Sequence, residues 1–451
     1  MEFRNLTPFD ALCFRAATPS DREYRVVAMK VGYRLVRDRY GRWQATVNDD
    51  DPVPLALADA YWGEEGASSP REESDLAPYK PRCDLIVNAT AHAPRGVPTP
   101  EWEVRLKVSA GQQWVPSPEP PKPLHPGARL TSRQHAAWEE EKRHAEALAA
   151  PCTVLDKRLL VGGPSLFYLR AGREWARTPS QPIASLPMRW EHAFGGRSFL
   201  RQPDASDEAP PLLNEVCFSN PLGRGWLDRR AVDLARQAGE PGIERMPAPQ
   251  IEAAQEPRML QPLLARHAGV DLDARAMADV AEGYGREPAG LGVVGRAWAP
   301  RLALAGTYDE TWLTQRHPWP PHDFDFGYWN AAPADQQIPY LAPDARIELW
   351  NLTDPAVTPD GHLSVTLPGH RALVLLRLDN GALLPLPMVT DTVVVDTESM
   401  ALSLVHRVWV PSDAPVRVLE ARFEVDPNAP LVRPAPRPPG RAAIAMPEPA
   451  P

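Results

Sequence analysis

The sequence predicts a mainly β fold of α+β type, with antiparallel, sandwich-like regions at both ends and a loop-rich mixed middle. Three observations carry this. Proline is abundant, 54 of 451 residues, about twice the usual share of roughly 5%. Proline donates no backbone hydrogen bond and stops helices and central strands, so elements should be short and loops many. Next, Trp102–Val108 alternates strictly, with Trp102, Val104, Leu106 and Val108 against Glu103, Arg105 and Lys107, the period of a half-buried strand. Last, from Arg346 onward short β-branched runs recur between turn signals, the pattern of an antiparallel sandwich or barrel.

Taken in order, the N-terminal β region spans about 1–125. Glu23–Val36 is rich in Val and Tyr and reads as a strand. Trp43–Val47 pairs with it through a turn at Arg39-Tyr40-Gly41, and Cys83–Ala93 is a further apolar run. The stretch Val115–Pro126 holds six prolines and reads as a linker. A mixed region, 126–340, opens with a solvated helix over Arg129–Ala150 capped by Thr131 or Ser132. Thr153–Val161 returns to strand. Asp228–Ala238 and Arg258–Ala281 are expected to hold short helices, the first stopped by Gly239. The C-terminal β region, 341–426, carries strands at RIELWNL, HLSVTL, RALVLLRL, TVVVDT, LSLVHRVWV and VRVLEARFEV. Residues 427–451 are rich in Pro, Ala and Arg and read as a disordered tail.

Charge and cysteine use narrow the function classes. The formal net charge is -9 with no long basic run, which argues against a nucleic-acid partner. Cys13, Cys83, Cys152 and Cys217 form no CxxC pair and suit a reducing compartment. No basic-then-apolar leader and no run of about 18 apolar residues occurs. The expectation is a soluble cytoplasmic protein with no membrane partner.

Motifs for chemistry are weak. Gly290-Leu-Gly-Val-Val-Gly295 fits G-x-G-x-x-G, but no strand precedes it and Pro300 interrupts any helix after it, so a glycine-rich turn is the expectation. No G-x-S-x-G occurs, and Gly162-Gly-Pro-Ser165 has proline where a nucleophile elbow cannot take it. Asp309 and Glu310 read as solvated surface carboxylates. The densest polar patch is His317–Trp329. There His317, His322, Asp323 and Asp325 offer a metal-ligand set for a hydrolase. The competing expectation is a rigid aromatic-pinned loop in which Asp323 and Asp325 cap backbone amides. Trp312, Trp319, Phe324, Phe326, Tyr328 and Trp329 fall within the same short stretch. They either anchor the loop to its own core or anchor a partner.

Four segments resemble one family in its order: the domain-of-unknown-function adaptors, or chaperones, of type VI secretion. They are Asn5-Leu-Thr-Pro-Phe9 with the strand after it, and Glu73-Ser-Asp-Leu-Ala-Pro-Tyr-Lys-Pro81 leading into Cys83–Ala93. The third is Leu186-Pro-Met-Arg-Trp-Glu-His-Ala-Phe-Gly-Gly196 with Asn220-Pro-Leu-Gly-Arg-Gly-Trp226. The fourth is Gly306-Thr-Tyr-Asp-Glu-Thr-Trp312, continuing through Arg316-His-Pro318 and Pro321-His-Asp-Phe-Asp325 to Asn330-Ala-Ala-Pro-Ala-Asp-Gln336. The resemblance implies a cytoplasmic adaptor, not an enzyme, needing no cofactor. It implies as partners an effector toxin or its PAAR-like protein and the valine–glycine-repeat spike. A component secreted with the spike is a further alternative.

Overall fold

The computed structural model describes residues 1–110, 131–149, 151–170, 174–200, 212–226, 237, 245–254 and 288–432. The linker Val115–Pro126, the helices expected in Asp228–Ala238 and Arg258–Ala281, and the tail beyond Val432 lie outside the described residues.

The fold is mainly β. The strand Glu23–Arg37 is buried along most of its length because it is covered on both edges. Asp10–Ala17 and Trp43–Val47 pair with one edge, and Ala401–Pro411 pairs with the other over Ala401↔Arg34 to Pro411↔Tyr24. The turn into Trp43–Val47 places Gly41 at φ 77°, where a residue without Cβ is unstrained. Beyond Ala401–Pro411 the sheet continues through Val389–Asp396 and Cys83–Asn88 to Gln337–Ile338, giving seven strands. Cys83–Asn88 is buried at every position: Cys83, Leu85, Ile86 and Val87 are apolar, and Asp84 and Asn88 are hydrogen-bonded.

N- and C-terminal strands thus interleave, with one parallel pairing in this sheet and one in a separate four-stranded sheet. Val389–Asp396 runs parallel to Cys83–Asn88, and Glu2–Asn5 runs parallel to Val416–Glu424. Parallel pairing needs a long crossover. The chain supplies one between residues 88 and 389, returning to this sheet only at Gln337–Ile338 on the way. Part of that excursion builds a five-stranded sheet in which Glu101–Ala110 lies between Cys152–Gly162 and Arg346–Trp350. Here the expected alternation is realised: Trp102, Val104, Leu106, Val108 and Ala110 are buried. A four-stranded sheet completes the large elements, and one apolar cluster from Phe9 to Ala421 draws on all three.

The longest helix among the described residues is Ser132–Ala149. Thr131 Oγ1 accepts from the Gln134 amide at 3.2 Å, and Gln134 Oε1 accepts from the Thr131 amide at 3.0 Å, a reciprocal capping box. Strands not anticipated from the sequence include Glu2–Asn5, Asp10–Ala17 and Leu383–Pro387. The last carries Pro385 and Pro387 at the end of the four-stranded order, a place where missing donors cost nothing and blunt an open edge.

Gly290–Gly295 is a turn-rich segment rather than a nucleotide loop. A Cβ at Gly290 would lie 2.5 Å from the Trp190 indole, and one at Gly295 would lie 2.6 Å from Trp298. These glycines let backbone pass against two tryptophans that meet edge to face at 5.6 Å. Trp190 Nε1 then donates to the Val293 carbonyl at 2.6 Å.

Candidate docking surface

The segment from Trp298 to Gln336 is tied to the body by buried ions. Arg301 is 3% exposed. It donates to both carboxylate oxygens of buried Glu73, to the Val294 carbonyl at 2.7 Å and to the Tyr328 carbonyl at 2.6 Å. Arg296 donates to the same carboxylate at 2.9 Å and pairs with Asp59 at 3.1 Å. Burial pulls the Arg296 guanidinium down, but the Glu73 carboxylate outweighs it and its pKa is raised. A buried charge persists only when paired in this way.

A second latch centres on Asp84, which is fully buried. Its carboxylate accepts from Lys80 Nζ at 2.8 Å, Asn330 Nδ2 at 3.0 Å, and the amides of Ala331 at 2.9 Å and Ala332 at 3.2 Å. Gln336 Nε2 donates to the carbonyls of Leu85 and Leu291. A third latch is Asn220, whose Nδ2 donates to the carbonyls of Trp190 and Phe194 at 3.0 and 2.8 Å. Gly195, Gly196 and Gly223 close around it, each without room for a Cβ.

The polar patch 317–325 is held differently. Asp323 accepts from the Thr307 amide and hydroxyl at 3.0 and 2.7 Å, and these bonds lower its pKa. Asp325 accepts from the Gly327 amide at 2.7 Å, and Asp309 caps the short helix Glu310–Gln315 at the Trp312 amide. His322 sits between Arg316, 3.1 Å from Nε2, and the Pro19 carbonyl, 3.1 Å from Nδ1. His317 packs edge to face on Trp312. The four candidate ligands therefore face separate protein partners. Among the described residues no three His, Cys, Asp or Glu side chains are grouped as a metal site would need.

The six aromatics divide. Phe324 contacts Phe326, Tyr328 and Trp329. Tyr328 lies under Arg301, and Trp329 under Arg296, so these rings pin the segment to its latch. Trp312 is half-buried, packs on Tyr308 at 4.7 Å, and donates from Nε1 to the Trp319 carbonyl at 2.8 Å. Trp319 is 38% exposed, with Tyr308 and Leu313 more so. Phe326 reaches the other way and meets Tyr79 edge to face at 5.5 Å.

Phe326 and Tyr79 form one wall of an open groove of about 920 Å³. The opposite wall is the Thr18–Tyr24 turn and the end of Ala401–Pro411, with Tyr24 and Trp409 in edge contact at 6.0 Å. Arg316 fixes the approach of the two walls by donating to the Pro19 carbonyl at 2.6 Å and pairing with Asp21 at 3.0 Å. Tyr24, Tyr79 and Trp409 were not anticipated as surface-site residues. Trp409 is 52% exposed although Val405 and Arg407 on the same face of its strand are buried.

A family model covers the residues of the three latches and part of the groove, stopping short of Thr18 and of Trp409 to Asp413. The model for an uncharacterized protein conserved in bacteria (DUF2169) matches residues 20–115 and 134–407. The chain belongs to that family. Among curated proteins and among solved structures nothing matches it. No helix among the described residues is long and apolar enough to cross a membrane.

Proposed function

We propose that this chain is a cytoplasmic adaptor and chaperone that binds a type VI secretion effector, or its PAAR-like protein, and helps seat it on the valine–glycine-repeat spike. The observation that carries the reading is the outward aromatic surface. Tyr308, Leu313 and Trp319 are exposed in and around the helix Glu310–Gln315, and Tyr79, Phe326 and Trp409 line the groove. Exposed, grouped aromatic and apolar side chains are what a client-covering surface needs. The ordered resemblance of four segments to such adaptors supports the same reading, and the buried latches give this surface a rigid base. An adaptor acts by differential affinity: it covers apolar client surface and yields it to a tighter-binding spike.

The test is co-expression with the effector or PAAR-like protein encoded beside it. The reading expects the client to shift from the insoluble to the soluble fraction when this chain is present. A client equally soluble, or equally insoluble, with and without it would overturn the reading.

A further inference from the structure

Asp10–Ala17 ends the seven-stranded sheet on one side, pairing with Glu23–Lys30 in an unbroken register from Asp10↔Lys30 to Ala17↔Glu23. At the turn between them the Thr18 amide donates to the Arg22 carbonyl at 3.0 Å. Hydrogen-bonded pairs alternate along an antiparallel ladder. Counted back from Thr18↔Arg22, the even-numbered residues bond inward and the odd-numbered ones face outward. The outward amides and carbonyls of Ala11, Cys13 and Arg15 have no hydrogen-bond partner among the described residues. Two other edges are blunted: Leu383–Pro387 carries Pro385 and Pro387, and Glu2–Asn5 carries the Glu2–Arg4 ion pair. Asp10–Ala17 has neither proline nor bulge, and its Leu12 is 36% exposed. Such an edge is a template for a further strand.

Charge on the same edge selects the strand. Arg15 is exposed and stands directly opposite Arg25. Like charges facing each other across a strand pair repel, and neither guanidinium pairs with a carboxylate among the described residues. In the adjoining turn Asp21 is engaged by Arg316. A strand added at this edge sets one of its side chains opposite Arg15 on the same face, and a carboxylate is the complement for that place. A second copy of this strand cannot supply it. A two-fold axis that pairs a strand with itself brings same-face residues opposite each other, and faces alternate along the strand, so odd numbers meet odd numbers. Asp10, the strand's one carboxylate, lies on the other face. Resting on the adaptor reading, we propose that the edge at Ala11–Arg15 takes up an extended segment of the client as an added β-strand, with an acidic side chain of that segment facing Arg15. Main-chain hydrogen bonds then hold the segment and the carboxylate sets its register.

The probe is a labelled peptide, Thr-Val-Thr-Val-Glu-Val-Thr, measured by fluorescence anisotropy against the full chain. One control replaces Glu by Lys. The other, Thr-Pro-Pro-Pro-Glu-Pro-Thr, keeps the charge but cannot form a ladder. The expected result is saturable binding of the first, several-fold weaker binding of the Lys peptide and at least about tenfold weaker binding of the proline peptide. Arg15→Glu is expected to reverse the preference, so that the Lys peptide becomes the tighter one. Cys13→Pro removes an outward N–H and leaves the inward ladder intact, a change an edge strand tolerates; it is expected to weaken the first peptide about tenfold. Equal binding of the proline peptide, an unchanged preference in Arg15→Glu, or full binding by Cys13→Pro overturns the proposal. If Cys13→Pro fails to fold, the reversal at Arg15 decides alone.

Size-exclusion chromatography of the chain by itself separates the remaining occupant. A dimer that Cys13→Pro converts to monomer would give the edge to a second copy and overturn the assignment to a client. A chain that solubilises its client but ignores the peptide sinks this inference alone. A chain that binds the peptide but leaves its client insoluble sinks the adaptor reading.

Discussion

The latch around Asp84 and the groove around Tyr24 draw on neighbouring parts of the same sequence segments, yet they are built oppositely. Asp84 is buried with its carboxylate filled by an ammonium, an amide side chain and two backbone amides. Tyr24, 5% exposed, lines the groove, and its enclosed hydroxyl has no hydrogen-bond partner among the described residues. The first joins elements of the fold through buried hydrogen bonds; the second leaves aromatic side chains lining open space. Residues in the most motif-like stretches, Glu73, Asp84, Asn220 and Gln336, all belong to the first kind. A strong sequence motif here marks the joints of the fold, and the surface it supports is assembled from less conspicuous positions.

The contrast can be broken from the latch side first. Asp84→Ala leaves the Lys80 ammonium buried without its carboxylate and two amides unmade. It is expected to destabilise by about 3–5 kcal/mol, read as a lower urea midpoint at unchanged slope. A loss under about 1 kcal/mol would show that the latch is not a joint.

Acid should act on the same interior by a different group. His406 is buried, with Nδ1 3.0 Å from Thr390 Oγ1, and burial holds its pKa at about 4 against an ordinary 6.5. As pH falls through 6.5 the unfolded chain takes the proton first, so stability is full above that value. It is lost progressively down to about pH 4, by about 3 kcal/mol at completion. His370 and His92, also lowered by burial, act with the same sign. Urea midpoints across this window should fall with acid in the wild type, and fall less in His406→Asn.

Gly290→Ala tests the close approach to Trp190. With 2.5 Å between the new methyl and the indole, about 1–3 kcal/mol of stability should be lost, visible as a lowered melting temperature. The smallest stability effect belongs to the surface. Leu313→Ser, at 61% exposed, should change stability by no more than about 0.5 kcal/mol while reducing client capture in a pull-down.

How much of this could be read from residues follows from the range of each interaction. Trp102–Val108 and the C-terminal strands were legible because alternation and turn residues are local. So were the caps at Thr131 and Asp325, which span three and two residues, whereas Asp323 reaches Thr307 sixteen residues away. The interleaving of Cys83–Asn88 with Val389–Asp396 was not, since the pairing spans some three hundred residues and leaves no local pattern. Leu383–Pro387 was missed because prolines that forbid a central strand are admissible at an edge. The groove was hidden for the same reason as the pairing. Tyr24, Tyr79, Phe326 and Trp409 come from four separated stretches, and only the assembled sheet brings them together. The aromatic cluster at 312–329 was conspicuous, but its split into pinning rings and outward rings depends on where Arg296 and Arg301 lie.

The most direct test of the account is size-exclusion chromatography of the full chain co-purified with its neighbouring effector or PAAR-like protein, in wild type and in Trp409→Ala/Leu313→Ser. The account predicts a stable co-eluting complex for the wild type and separate elution for a double variant that remains folded. Separate elution of two soluble proteins in the wild type, or an unaltered complex in the variant, would contradict it.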